Sequence, residues 1–312
     1  MKVCFIGACG PSRQAYRYLK SRDDVVFCGM APEGEHEGLA ASFDPDIPFY
    51  TDYREMLDAT EPDLAVVSPV FAHTGRVIIE CAERGIDVFA EKPVASSLDE
   101  LEAVEAAVYK SGIRFSAMHY LRYAPAFYHG ARLVKDGAIG EVKIVNAQKS
   151  YKFGTRPEWY QSRDLYGGTI PWVGIHAIDW IYNFTGKRFL SVSASSTGGS
   201  PEMAALCQFT LDGGAVASAS IDYYRPKEAL THGDDRIRCV GTRGAIEIRD
   251  DKIILTNDEG CTTLTPSEAP ELLEQLLGGG EAITAEEIFY LTRVALCARE
   301  AADTQKSVRI EG

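Results

Sequence analysis

Five short runs in the first 118 residues, Val3–Ile6, Val25–Met30, Leu64–Val67, Ile86–Ala90 and Ile113–Ala117, are apolar at nearly every position. A strand without polar alternation must be covered on both faces, and connections long enough to hold a helix make neighbouring strands parallel. Helical periodicity over 11–20, 36–43, 72–84 and 97–110 supplies those connections. The last is opened by Ser96 or Ser97, with Glu100 placed for a capping box. This rhythm predicts an α/β fold built on a doubly wound parallel sheet.

Beyond residue 120 the rhythm changes. A helix is predicted over 126–136, followed by more alternating, aromatic-rich runs at 141–151, 189–197, 203–211, 214–223, 235–240, 244–248 and 252–256. Gly213–Gly214 and Asn257–Gly260 read as turns, and helices are predicted at 173–184 and 284–303. We therefore expect residues 1–119 to form a dinucleotide-type domain. Residues 120–312 are expected to form an α+β domain with an open, largely antiparallel sheet and a packed join near 118–125.

The formal charge of −13 on 312 residues, with no basic run of five, argues against a nucleic-acid partner. Glu33, Glu35 and Glu37 read as a solvated loop. The opening MKVCFIGACGPSRQ is too briefly apolar for a signal peptide or a spanning helix, so no membrane partner is expected. Eight cysteines without C-x-x-C or Cys/His ligand spacing point to a reduced, cytoplasmic compartment and to no disulfide scaffold or metal site.

Ligands of doubly wound sheets bind beyond the carboxyl ends of the strands. In FIGACGPSRQ a strand runs into Gly7, then a short loop and a helix whose N-terminus suits a pyrophosphate. A full fingerprint would be G-x-G-x-x-G; here Cys9 and Ser12 hold the second and third glycine positions, with Gly10 and Pro11 between. Ala31 stands where an acid would hold the ribose hydroxyls. Glu33 is near, but reaching that place needs an unusual loop path. No Lys or Arg occurs in 31–41, which favours NAD and leaves NADP open. Ser68, Pro69 and His73 follow the third strand at the same edge.

With these features stand FAEKPVASS, HYLRYAPAF, LYGGTIPWVGIHAIDW, GTRGAIEI and the closing helix TAEEIFYLTRVALCAREAADTQ. In this order and spacing the whole chain resembles the glucose–fructose oxidoreductase/inositol dehydrogenase (Gfo/Idh/MocA) family. The resemblance implies a Rossmann domain followed by an open sheet that mediates homodimer or homotetramer formation. It also implies hydride transfer between NAD and a hydroxyl carbon of a sugar, cyclitol or related polyol. It makes Lys92 the group that reaches the reacting hydroxyl, Pro93 the residue that fixes the strand end, often through a cis peptide, and His176 the general acid/base. Burial and an oxidised nicotinamide would both lower the Lys92 pKa, and Glu91 would orient Lys92 or cap the next segment.

The family often carries an aspartate four residues before the histidine; this chain has Trp172. An indole cannot accept a proton but can stack on a pyranose. Either Lys92 and His176 share the proton work or Asp179, one turn from His176, assists; a bulkier glycoside is the other implication. Further substrate candidates are Tyr120 and Arg122, just past an expected sixth Rossmann strand, and Arg156, Trp159, Tyr160 and Arg163 on a loop. Gly167–Gly168 would allow close approach to a ligand. His232, Asp234 and Asp235 read either as a lid or as a solvated turn. Two alternatives to simple dehydrogenation stay open: redox-assisted glycoside cleavage with recycled, tightly bound NAD, and a non-catalytic sugar- or dinucleotide-sensing regulator.

Overall fold

The structure, a computed structural model, describes residues 1–34, 37–278, 280 and 283–311, the side chains of residues 37 and 39 excepted. The chain forms two compact units. One comprises Met1–Met118, Asp164–Gly167 and Leu272–Thr292; the other comprises His119–Arg163, Gly168–Glu271 and Arg293–Gly312.

The strands are β1 Lys2–Ile6, β2 Val26–Ala31, β3 Leu64–Val67, β4 Asp87–Ala90, β5 Phe115–Ala117, β6 Val142–Tyr151, β7 Phe189–Ser196, β8 Ala204–Leu211, β9 Val216–Asp222, β10 Gly233–Gly241, β11 Gly244–Arg249, β12 Lys252–Asn257, β13 Gly260–Leu264 and β14 Val308–Arg309. The helices are α1 Ser12–Lys20, α2 Glu37–Ala41, α3 Tyr53–Thr60, α4 Thr74–Glu83, α5 Leu98–Ser111, α6 Pro125–Lys135, α7 Arg163–Tyr166, α8 Ile175–Thr185, α9 Leu272–Gly278 and α10 Ala285–Thr304.

In the first unit, parallel strands run in the order β2-β1-β3-β4-β5. The apolar runs explain it: all four residues of β3 and nearly all of β1 and β4 are buried on both faces. The sheet has five strands where six were expected, so Tyr120 and Arg122 follow the fifth. Phe5, Tyr16, Phe27 and Phe43 pack ring to ring over one face, centroids 5.2–6.1 Å apart. The predicted capping box is present in α5: Ser97 Oγ accepts the Glu100 N–H at 3.2 Å. The Glu100 carboxylate turns back to the N–H and hydroxyl of Ser96 rather than of Ser97. Of the proposed acidic cluster, Glu35 lies outside the described residues, as does His36, the first residue of the helix predicted at 36–43.

The second unit carries a nine-stranded sheet in the order β13-β12-β11-β10-β6-β9-β8-β7-β14. Every pairing is antiparallel except β6 with β9, which is parallel. In β8 and β9 buried and exposed residues alternate, so the sheet has one core face. Helices α6 and α8 cover it, Phe127 stacked on the fully buried Trp180 at 4.2 Å. Removing a side chain of Trp180's size from water is worth about 3 kcal/mol. A π-helical turn at Ile170–Gly174 leads into α8 and places Trp172 on it.

Candidate active site

Each unit brings its own set of polar groups together. At the carboxyl edge of the parallel sheet the chain turns at Gly7, whose N–H donates to the Ala31 carbonyl at 2.8 Å. Gly7 has φ +77°, and a Cβ there would sit 2.5 Å from the Pro69 backbone, so only glycine fits. Cys9 is buried, and its N–H donates to the Ser68 carbonyl at 2.8 Å. Helix α1 begins after Pro11 with no side-chain cap and no acid in its first turn, unlike α3 and α5, which Asp52 and Ser97 cap. The hydroxyls of Ser12, Ser68 and Thr74 are buried at this edge without a hydrogen-bond partner. Buried polar atoms are nearly always paired, so an uncapped helix start with orphan hydroxyls fits a phosphate-bearing dinucleotide.

Ala31 is buried and offers only its carbonyl. Glu33, two residues on, turns its side chain toward the segment that follows β3. Its carboxylate pairs with Arg76 of α4 and lies 3.2 Å from His73 Nδ1, within ion-pair range but not aligned for a hydrogen bond. Burial lowers the His73 pKa, so the imidazole is neutral near pH 7 and Arg76 is the effective counter-charge. His73 is packed against Gly34. The sequence reading missed Arg76, because the cation arrives from α4 and not from the loop after β2.

At the end of β4, Glu91 is fully buried and Lys92 is 5 % exposed. Glu91 Oε1 accepts the Lys92 backbone N–H at 3.0 Å and lies 3.7 Å from Lys92 Nζ, while Oε2 is buried without a partner. Burial outweighs the attraction of Lys92 and pushes the Glu91 carboxyl up to about 7. The Lys92–Pro93 peptide is cis. Gly10, with φ +68°, is fixed by the same carboxylate: a Cβ there would lie 2.2 Å from Glu91 Oε2.

In the second unit His176 is buried in α8, its ring stacked on Trp180 at 6.5 Å. Asp179 and Arg122, expected to meet substrate, meet each other instead. Arg122 Nε and Nη2 donate to Asp179 Oδ1 at 2.8 and 2.5 Å, and His119 Nδ1 lies 3.2 Å from Oδ2. All three are buried. Burial would raise the Asp179 carboxyl, but Arg122 and then His119 outweigh it and hold it below the ordinary range. Both Asp179 oxygens are therefore used in holding α8 to the segment that precedes α6. His119 is a further buried polar residue that spacing alone did not reveal.

Gly168 has φ +109°, and a Cβ there would meet the Arg163 guanidinium at 2.6 Å. Arg163 is itself held by Glu202 and Asp303. Asp234 and Asp235 are neither lid nor solvated turn. Both lie in β10, Asp234 paired with Arg225 and Arg236 and Asp235 with the buried Lys149 at 2.5 Å. His232 packs on Tyr151 at 5.0 Å, and Arg156 lies over the rings of Tyr160, Tyr223 and Phe153. Tyr120 begins a 3-10 turn at Tyr120–Tyr123, and Tyr160 and Trp159 lie in another at Glu158–Gln161.

Among the described residues no three His, Cys, Asp or Glu side chains gather as a metal site, and no helix is long and apolar enough to cross a membrane. No disulfide joins any of the eight cysteines.

Comparison with known proteins matches residues 1–119 to an oxidoreductase family with an NAD-binding Rossmann fold and residues 129–247 to the GFO/IDH/MocA C-terminal domain. A solved structure from Thermotoga maritima, described as an oxidoreductase, is 40 % identical with a TM-score of 0.94, covering 99 % of this chain and all of that one. Trans-1,2-dihydrobenzene-1,2-diol dehydrogenase of Danio rerio is 28 % identical over 75 % of this chain and 69 % of its own. A levoglucosan dehydrogenase solved with NADH and levoglucosan is 17 % identical with a TM-score of 0.83 over the full length of both chains, a likeness of fold.

Proposed function

Given that the chain belongs to the Gfo/Idh/MocA oxidoreductase family and carries its NAD-binding Rossmann domain, we propose that it transfers hydride at a hydroxyl carbon of a sugar, cyclitol or glycoside. The observation that carries this reading is the Glu91–Lys92 pair: a nearly buried lysine amine beside a carboxyl pushed up to about 7, on the sheet edge where Ser12, Ser68 and Thr74 lack partners. Bound NAD supplies the hydride acceptor. In its neutral amine form Lys92 accepts the proton of the substrate hydroxyl as the carbon becomes a carbonyl; His176 acts as the second acid/base. Asp179 gives no help in this scheme, because Arg122 and His119 use it, and Trp172 cannot carry a proton. The two remaining groups therefore share the proton work.

Gly7, Cys9, Gly10, Pro11 and Ser12 would cradle the pyrophosphate, with Ala31, Ser68, Pro69 and His73 along the same edge. Glu33 supports NAD over NADP, since its carboxylate both neutralises Arg76 and repels a 2′-phosphate. The outer face of the larger sheet supports self-association: Ile144, Val216, Leu206 and Leu190 are exposed on the adjacent strands β6, β9, β8 and β7, among Asn, Gln, Ser and Thr. A second copy of this chain is the occupant we assign to that face, as a homodimer or homotetramer. Eight cysteines without a disulfide support a cytoplasmic enzyme.

The test is to incubate purified protein with NAD and a panel of polyols, aldoses, cyclitols and glycosides and to follow nicotinamide absorbance. Reduction of added NAD, one equivalent per carbonyl formed, is expected. Tight NAD binding without reduction by any member would replace the enzyme with a sensor; glycoside cleavage without net NADH would replace it with a redox-assisted lyase.

A further inference from the structure

One end of the larger sheet, where β6 and β9 finish and β10 begins, gathers basic side chains that the proposed chemistry does not use. Lys149 is fully buried, its ammonium 4.0 Å from the Tyr151 ring centroid and 5.3 Å from that of Trp180, the ring on which His176 stacks. Its charge is matched by Asp235. The cations beyond it are not matched. Lys152 gives its ammonium to the Ala229 carbonyl. Arg156 makes only a long bond, 3.4 Å, to the Lys152 carbonyl, and its Nε is buried with no partner. His232 is tied to the same strand end, its carbonyl accepting the Lys152 N–H at 3.0 Å and its ring lying on Tyr151. Among the described residues no carboxylate lies within ion-pair distance of Arg156, Lys152 or His232, and Asp234 is taken up by Arg225 and Arg236.

This is an unusual expense in a chain of net charge −13. Acidic side chains are abundant, yet the guanidinium sits on Tyr160, Tyr223 and Phe153 at 5.3–5.9 Å without one. Like charges held together in a partly desolvated place repel, and an incoming anion removes that repulsion. Burial first, and then the fields of Arg156, Lys149 and Lys152, disfavour a charged His232, with Asp235 opposing them; an anion bound there would add to that opposition. A guanidinium fork beside one imidazole matches a planar monoanion, and the surrounding rings suit the apolar face of a sugar.

Resting on the reading that the chain oxidises a hydroxyl carbon of a sugar or related polyol, we propose that the substrate is a sugar acid whose carboxylate is held by Arg156 with Lys152 and His232. Arg156 then sets specificity between acidic and neutral polyols without taking part in the hydride step.

The experiment is calorimetric titration of the NAD-saturated protein with four matched pairs: D-glucuronate and D-glucose, D-galacturonate and D-galactose, D-gluconate and D-glucitol, D-galactonate and D-galactitol. The acid of at least one pair is expected to bind about tenfold or more tightly than its neutral partner. Arg156→Gln should erase that difference and leave the neutral partner within about twofold, while Arg156→Lys restores part of it. His232→Gln gives a second, milder variant if Arg156→Gln unfolds. No acid exceeding its partner in any pair overturns the proposal, as does an equal loss for acid and neutral ligands in Arg156→Gln, or glucose 6-phosphate binding more tightly than glucuronate. Oxidation of the neutral members alone would overturn it while leaving the oxidoreductase reading intact. Acids bound selectively but never oxidised would uphold the carboxylate site and remove the hydride chemistry.

Discussion

Replacing Glu91 by glutamine isolates the electrostatics of the lysine-bearing strand end. The side chain is fully buried, and its carboxyl is raised from the ordinary 4.5 to about 7, first by burial, with Lys92 opposing. A difference of roughly 2.5 pH units at ~1.4 kcal/mol per unit gives ~3 kcal/mol. The folded protein holds this proton more tightly than the unfolded chain does. The corresponding stability is fully present below pH 4.5, is lost as pH rises through about 7, and stays lost above it. Glu91→Gln keeps the shape and cannot titrate. Urea unfolding of both proteins at steps from pH 4 to 9, plotted as wild type minus variant, removes every other titrating group. That difference should fall by about 3 kcal/mol between the two pKa values and then level off. A flat line would mean that the carboxyl is not perturbed, and a rise with pH would mean that Lys92 dominates burial; either refutes the reasoning.

Asp179→Asn should cost about 3–5 kcal/mol, because Arg122 is left as a buried charge without its partner; calorimetric melting measures it, and a loss below 1 kcal/mol would mean that the site rehydrates. Gly10→Ala forces a methyl into the space of Glu91 Oε2 at positive φ, so NAD affinity should drop about tenfold or more with a lowered Tm, read by fluorescence titration and melting. Trp172→Asp should change which substrates are oxidised while leaving the Tm within a few degrees; a large fall in Tm would assign the indole to the core.

The parallel sheet was readable because buried parallel strands leave unbroken apolar runs, and Val66 and Phe89 have nowhere to expose a polar neighbour. Helix α3 was missed although Asp52 accepts the Arg54 and Glu55 N–H groups, an N-cap signal present in the sequence as TDYRE. The parallel β6–β9 pairing left no local trace, since Ile144 and Val216 are 72 residues apart and only tertiary register joins them. Site residues divided in the same way. Lys92 and Glu91 stand in one short motif and were legible. The Glu33–Arg76, Asp179–Arg122 and Lys149–Asp235 pairs each join distant elements, and a charged residue's partner cannot be read from its neighbours in the chain. Asp234 and Asp235 were misread because strand residues that pair with Arg236 and Lys149 look, in sequence, like a polar turn.

The central claim is that the Lys92 amine does proton work for hydride transfer to NAD. Single-turnover NADH formation by wild type and Lys92→Met, with NAD affinity measured on the same samples, tests it most directly. The variant should bind NAD within a few-fold of wild type and form no NADH. Undiminished NADH formation by the variant would contradict it.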